Sequence, residues 1–364
     1  MSRHSPPMDT TPDRNAQLLS RFQPGTSGSL AVVYSQVRVP AGKFGLERLF
    51  ARTRHSCLFL NDTGSYWYLG QERAIDKAIE AALSQAQPSR IIHYGSSMGG
   101  YGALTSGLRR KDGTIHAFGT ELCPGRPGYQ STCNGVKAHD PRLFDFAGQE
   151  TPFPVHLYFG CLDPVDAANA GFAAALLPDA NLHLLVSSHA SHDHLYSLNL
   201  IRRIINTFDR APAAELASKH LLSSDSIAEL SAFGALAEAI AEGRDVKPHR
   251  IQELPALSRN PGMLRLLAAS LWHHQERDIA LETLRQAEQL IEADAVLKTL
   301  PKRWRKELPL QRTAWLIELG RTEEARALLK HCADSFPVDA HMLHLAEQLG
   351  LELPGRDGDD TQSR

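Results

Sequence analysis

Short apolar runs recur along the first two-thirds of the chain, at 30–34 (LAVVY), 57–60 (CLFL), 90–94 (RIIHY), 115–118 (IHAF), 155–159 (VHLYF) and 182–186 (LHLLV). Their β-branched and aromatic content predicts strands. Segments with helical spacing of apolar positions separate several of them, at about 72–86, 98–109 and 165–177, with a last one at 195–208. Strands of this length alternating with amphipathic helices predict an α/β domain with a mostly parallel sheet, covered by helices on both faces. In such a sheet catalytic groups sit on loops beyond the C-terminal ends of strands.

From about residue 212 the strand pattern ends, and Ala, Leu, Glu and Arg repeat with helical period. Two stretches match each other: Leu271, Ala280, Leu284 and Ala287 have the spacing of Leu316, Ala325, Leu329 and Cys332, 45 positions on. Gly320 at a turn and Pro337 at an exit complete the second stretch, as a tetratricopeptide-like hairpin requires. The first lacks both, so an irregular array and a plain helical bundle remain open. Residues 1–28, rich in Pro, Ser, Thr and Gly, read as a mobile tail with one short helix near Leu18–Phe22. The expected division is a tail 1–28, a catalytic domain 29–211, a helical domain 212–353 and a disordered tail 354–364.

Composition changes this picture little. With 364 residues, 42% hydrophobic, 22% charged and a net charge of −2, the chain has the make-up of an ordinary globular protein. That charge gives no case for nucleic acid or anionic membrane as partner. No apolar run reaches the roughly 20 residues of a membrane-spanning helix. Five cysteines, an odd number without a CxxC pair, argue against a disulfide framework or structural zinc. A cytoplasmic setting with no cofactor is expected.

The chemistry starts at Gly95-Ser96-Ser97-Met98-Gly99. A serine exposed on a tight strand-to-helix turn needs small neighbours two positions away, and the amide that follows it points at a developing oxyanion. Ser97 is therefore the candidate nucleophile, with Ser96 offset from the central position, and Met98 would supply one oxyanion amide. The second donor is expected after the 57–60 strand, from Asn61 or Asp62. Asp62, Trp67 and Tyr68 are candidates to line a substrate pocket, or else to close the sheet edge.

Hydrolases of this type order their triad Ser, acid, His. Beyond the 155–159 strand stands Asp163-Pro164-Val165-Asp166, and Asp163 is favoured over Asp166 as the acid for its place directly after the strand. Beyond 182–186 three histidines stand together, His189, His192 and His194, around Asp193. His192 is favoured as base because it precedes the next helix, with His194 second. The same cluster is a metal-ligand-rich stretch, a reading that leaves Ser97 without a role.

VVYSQVxVPxGKF (32–44), LFLNDxxxxWY (58–68) and YGSSMGGYGAL (94–104) together resemble a bacterial α/β-hydrolase family. Its relatives include the glycan O-acetyltransferase of the accessory Sec system and hydrolases of surface-polysaccharide clusters. The resemblance spans about 30–208 and stops before the helical region. It implies a Ser97-Asp163-His192 triad and transfer of an acyl group to or from a glycan or small ester. The competing expectation is an inactive hydrolase scaffold whose helical repeats bind a protein partner.

Overall fold

A computed structural model describes residues 17–137 and 141–353. The expected disordered segment 354–364, and residues 1–16 of the expected N-terminal tail, lie outside those described. Seven strands form one sheet: β1 (Leu18–Gln23), β2 (Ser29–Tyr34), β3 (Ser56–Asp62), β4 (Arg90–Ser96), β5 (Thr114–Phe118), β6 (Val155–Gly160) and β7 (Asn181–Leu185). Their order is β1-β3-β2-β4-β5-β6-β7, with β1 antiparallel to β3 and every other pair parallel. β2 and β3 are buried along nearly their whole length, which is why they read as unbroken apolar runs.

β1 corrects the sequence reading at the N-terminus. Leu18, Leu19 and Phe22 have helical spacing, yet the segment pairs with β3 from Leu18↔Asp62 to Gln23↔Cys57. A six-residue helix gains little on its own, whereas an open sheet edge offers a ladder of backbone bonds. Arg21 fixes the strand further, ion-paired with Glu47 and lying 4.9 Å over the Phe44 ring.

The chain divides into two compact units between Asp245 and Val246 rather than near 211. The segment past 211 completes the sheet unit. Val186 and Ser223 donate amides to Leu221 and Leu184, so residues 221–223 run along the outer edge of β7. The helix Ile227–Ala241, started by a Ser226–Glu229 capping box, packs on the helix Pro164–Leu176. The contact is close: a Cβ on Gly234 would lie 2.6 Å from that of Ala168.

The second unit is all helical among its described residues. Pro261–His273 and Arg277–Ala293 form one hairpin, Glu307–Glu318 and Thr322–Ser335 another, and Ala340–Gln348 follows. Ala280, Leu284 and Ala287 are buried in the first hairpin, Ala325, Leu329 and Cys332 in the second. Gly320 turns the second hairpin at φ 71°. Gln275 takes the same left-handed region at φ 66° in the first, so the turn is made there without a glycine. Trp272 and Trp315 stack at 4.4 Å between the hairpins.

Candidate active site

Ser97 stands at the C-terminal end of β4 and is the N-cap of the helix Met98–Arg110, with φ 54° and ψ −123°. A non-glycine residue holds such a backbone only where its surroundings force it, and the strain commonly marks a working site. Here the amide of Ser97 donates to Phe118 O at 2.7 Å, tying the turn to the neighbouring strand. A Cβ on Gly95 would collide with the Gly99 carbonyl, and one on Gly99 with the Tyr34 carbonyl. Small residues at both flanks are therefore a packing requirement of the elbow.

The imidazole beside this serine belongs to His189, in the loop after β7. Its Nε2 lies 3.4 Å from Ser97 Oγ, and its Nδ1 lies 2.7 Å from Asp166 Oδ1. Asp166, its side chain 2% exposed, accepts the Gly160 amide through Oδ2 at 2.7 Å. The imidazole remains 31% exposed. Burial disfavours its cation, but the Asp166 carboxylate outweighs this by charge and hydrogen bond, and His189 is held above the ordinary histidine range.

Asp163 and His192 are not the residues that meet Ser97. Asp163 Oδ1 accepts the amides of Val165 at 2.9 Å and Asp166 at 3.1 Å, capping the helix Pro164–Leu176. A carboxylate spent on the first turn leaves the next acidic residue, one helical step on, to face the loop. Burial, followed by the nearby Asp166 charge, pushes the Asp163 carboxyl up. His192 is 4% exposed; Tyr94 Oη lies 2.9 Å from its Nε2, and its ring packs edge-on against Phe118. His194 is buried too, with Nδ1 3.0 Å from Ser187 Oγ. Both belong to the short helix Ser191–Ser197, which turns them into the core. His189 precedes that helix, four residues past the end of β7, and being the first histidine beyond the strand was the available signal. Asp193 Oδ1 lies 3.8 Å from His192 Nδ1, but the Asp193 side chain is exposed and both histidine rings are buried in the core. Among the described residues the metal-capable group is Asp163, Asp166 and His189, and its carboxylates already accept three backbone amides and pair with the imidazole.

The expected pocket and oxyanion residues after β3 have other work. Asn61 Nδ2 donates to the carbonyls of Val39, Pro40 and Lys43 at 3.0–3.3 Å, stapling that loop to the sheet. Asp62 accepts the amides of Gly64, Tyr66 and Tyr68 and the Gln71 side chain. Trp67 and Tyr68 are buried, and Tyr68 Oη donates to Ser35 O at 2.9 Å. The reason is sheet order: β2, not β3, lies beside β4, so the chain leaving β2 at Ser35 and Gln36 borders the elbow. Met98 is the first residue of the helix Met98–Arg110, directly after Ser97, and its side chain is buried.

Two residues with no signal in the sequence complete the site. Gln130 Oε1 accepts the Ser97 hydroxyl at 3.0 Å. Glu121 is buried, and its carboxylate accepts the amides of Gln130 at 2.6 Å and Ser131 at 3.2 Å, fixing that loop. Burial raises the Glu121 carboxyl pKa, against those bonds and the His189 charge.

Sheet order and elbow together are those of an α/β-hydrolase architecture. No protein-family model matches the chain, and no curated protein does. Similar solved structures include the capsule O-acetyltransferase of Neisseria meningitidis serogroup A, 15% identical at a TM-score of 0.41, covering 52% of this chain and 92% of that one. Another is the glycosylation-associated protein complex of Streptococcus agalactiae, 16% identical at 0.40, covering 54% of this chain and 46% of that one. No helix among the described residues is long and apolar enough to cross a membrane.

Proposed function

We propose that the chain is a serine esterase or acyltransferase that works through an acyl-serine intermediate. Ser97 attacks an ester carbonyl, His189 takes its proton and returns it to the leaving oxygen, and Asp166 keeps the imidazole in the tautomer that accepts at Nε2. The amide of Met98 and one from the chain leaving β2, with Gln36 the candidate, would receive the oxyanion. What carries this reading is the continuous Ser97–His189–Asp166 relay on a strained elbow. A fluorophosphonate probe tests it: the full chain should label at Ser97 and the Ser97→Ala variant should not. A wild-type chain that stays unlabelled would favour the inactive scaffold instead.

The resemblance of segments 32–44, 58–68 and 94–104 to glycan-modifying hydrolases directs the first substrates, O-acetylated carbohydrates with p-nitrophenyl acetate as a general donor. Release of acetate alone would mark a hydrolase, and an acylated sugar product a transferase. Five free cysteines suit a reducing, cytoplasmic compartment. The hairpins of the second unit offer a place for a protein partner, to be sought by comparing pull-downs with the full chain and with a chain ending near Asp245.

A further inference from the structure

We propose that Gln130 gates the nucleophile, its side-chain carbonyl holding the Ser97 hydroxyl proton while His189 is charged and releasing it when the imidazole becomes neutral. The inference rests on the Ser97–His189–Asp166 reading above.

A hydroxyl has one proton to donate. Ser97 Oγ lies 3.0 Å from Gln130 Oε1 and 3.4 Å from His189 Nε2, so the proton faces the amide. This arrangement follows if the imidazole is doubly protonated. Both ring nitrogens are then donors, Nδ1–H to Asp166 and Nε2–H toward Oγ, and the serine proton needs another acceptor. When Nε2 loses its proton it becomes that acceptor, the hydroxyl turns to it, and the general base is ready. Gln130 thus bonds the nucleophile only in the unreactive state. A partner that favours one protonation state moves the titration toward that state. Gln130 therefore shifts the onset of activity to higher pH.

The amide is held in place by more than its own side chain. Glu121 takes the backbone N–H of Gln130, and Leu122 donates to Asn169 on the same helix that carries Asp166. Arg126 pairs through two hydrogen bonds with Glu238 on the helix Ile227–Ala241. Among the described residues, the largest charges acting on His189 are Asp166 and Asp163 at the start of the helix Pro164–Leu176, and Glu121 after β5. All are carboxylates, and Gln130 is the neutral acceptor beside them.

The experiment is the pH dependence of fluorophosphonate labelling at Ser97, and of p-nitrophenyl acetate turnover, in the full chain. Gln130→Leu removes the acceptor, and its rising limb should move to lower pH. A shift of one unit would bring labelling, relative to its own plateau, about fivefold above wild type at one unit below the wild-type midpoint. Gln130→Glu keeps an oxygen there and adds negative charge, so its limb should move to higher pH. Gln130→Met, unbranched and without an oxygen, repeats the first arm with less change of shape, and thermal melts confirm folding. Limbs that stay fixed, or that move the same way in the Leu and Glu variants, overturn the gate, even if the plateaus fall. A wild-type chain unlabelled at Ser97 at every pH refutes the triad itself, and the gate with it.

Discussion

His189 Nδ1 lies 2.7 Å from Asp166 Oδ1, and the other oxygen of that carboxylate accepts the Gly160 amide, also at 2.7 Å. The imidazole is thereby oriented by a group that is itself immobile. His189→Ala should lose Ser97 labelling and ester turnover by about a thousandfold or more, as removal of a triad base does. His192→Ala should label at a rate near wild type. It should instead lose stability by about 1–3 kcal/mol in urea melts, because Tyr94 Oη is left buried without its partner. The reverse pattern would return the base to His192.

The two aspartates separate in the same way. Asp166→Asn removes the charge that holds His189 above its ordinary range. Its turnover should fall at least about a hundredfold, and what remains should rise at lower pH than in wild type. Asp163→Asn keeps a side-chain oxygen for the amides of Val165 and Asp166, and Asn caps helices about as well as Asp. Its turnover should stay within a few-fold of wild type. Comparable losses in both variants would show that the acid is shared.

On β5, β6 and β7 three histidines sit side by side. His116 and His156 stack at 4.8 Å, and His156 Nδ1 lies 3.1 Å from His183 Nε2. They border a cavity of about 310 Å³ lined also by Arg90 and Asp209. Burial lowers all three pKa values, to about 4 for His156 and about 3 for His183. The folded state then binds fewer protons than the unfolded chain below pH 6.5, so stability falls as pH drops from there toward the folded values. A buried histidine of this kind costs up to about 1.4 kcal/mol per pH unit across that window. Urea melts between pH 7 and 4.5 should show the loss, and His183→Gln should flatten it. A slope unchanged by that substitution would place the acid sensitivity elsewhere.

Truncation separates the two proposed boundaries. A fragment ending near Pro212 bares the outer edge of β7, the Ala168 face of the helix Pro164–Leu176, and Arg126 without Glu238. It also loses the buried side chains of Leu216, Leu221, Leu230 and Phe233. At about 1.5–3 kcal/mol each, these four contribute as much as the whole net stability of a typical domain. The fragment should be insoluble or bind a hydrophobic dye strongly. One ending near Asp245 should be soluble and label at Ser97. Labelling of the shorter fragment at the full rate would make the Ile227–Ala241 helix dispensable.

The α/β class, six of the seven strands and the strained turn at Ser97 were legible in the sequence because each rests on local chemistry. Period and run length distinguish strand from helix, and a serine flanked by glycines at a strand end satisfies the elbow's backbone by itself. The buried Ala, Leu and Cys positions of the two hairpins were legible for the same reason.

The remainder depended on contacts between distant segments. Leu18–Gln23 is a strand because β3 offers a free edge, and residues 221–241 join the sheet unit because β7 and the helix Pro164–Leu176 need covering. His189 and His192 are three residues apart in chemically similar surroundings, and only the turn into the helix Ser191–Ser197 decides which imidazole faces Ser97 and which faces Tyr94. Gln130 stands 33 positions from Ser97 and matches no motif. Local sequence thus determined the fold class and the serine elbow, since backbone preference and burial act residue by residue. Which imidazole, carboxylate and amide surround that serine was decided by tertiary structure, because a hydrogen bond depends on direction and distance that sequence spacing does not carry.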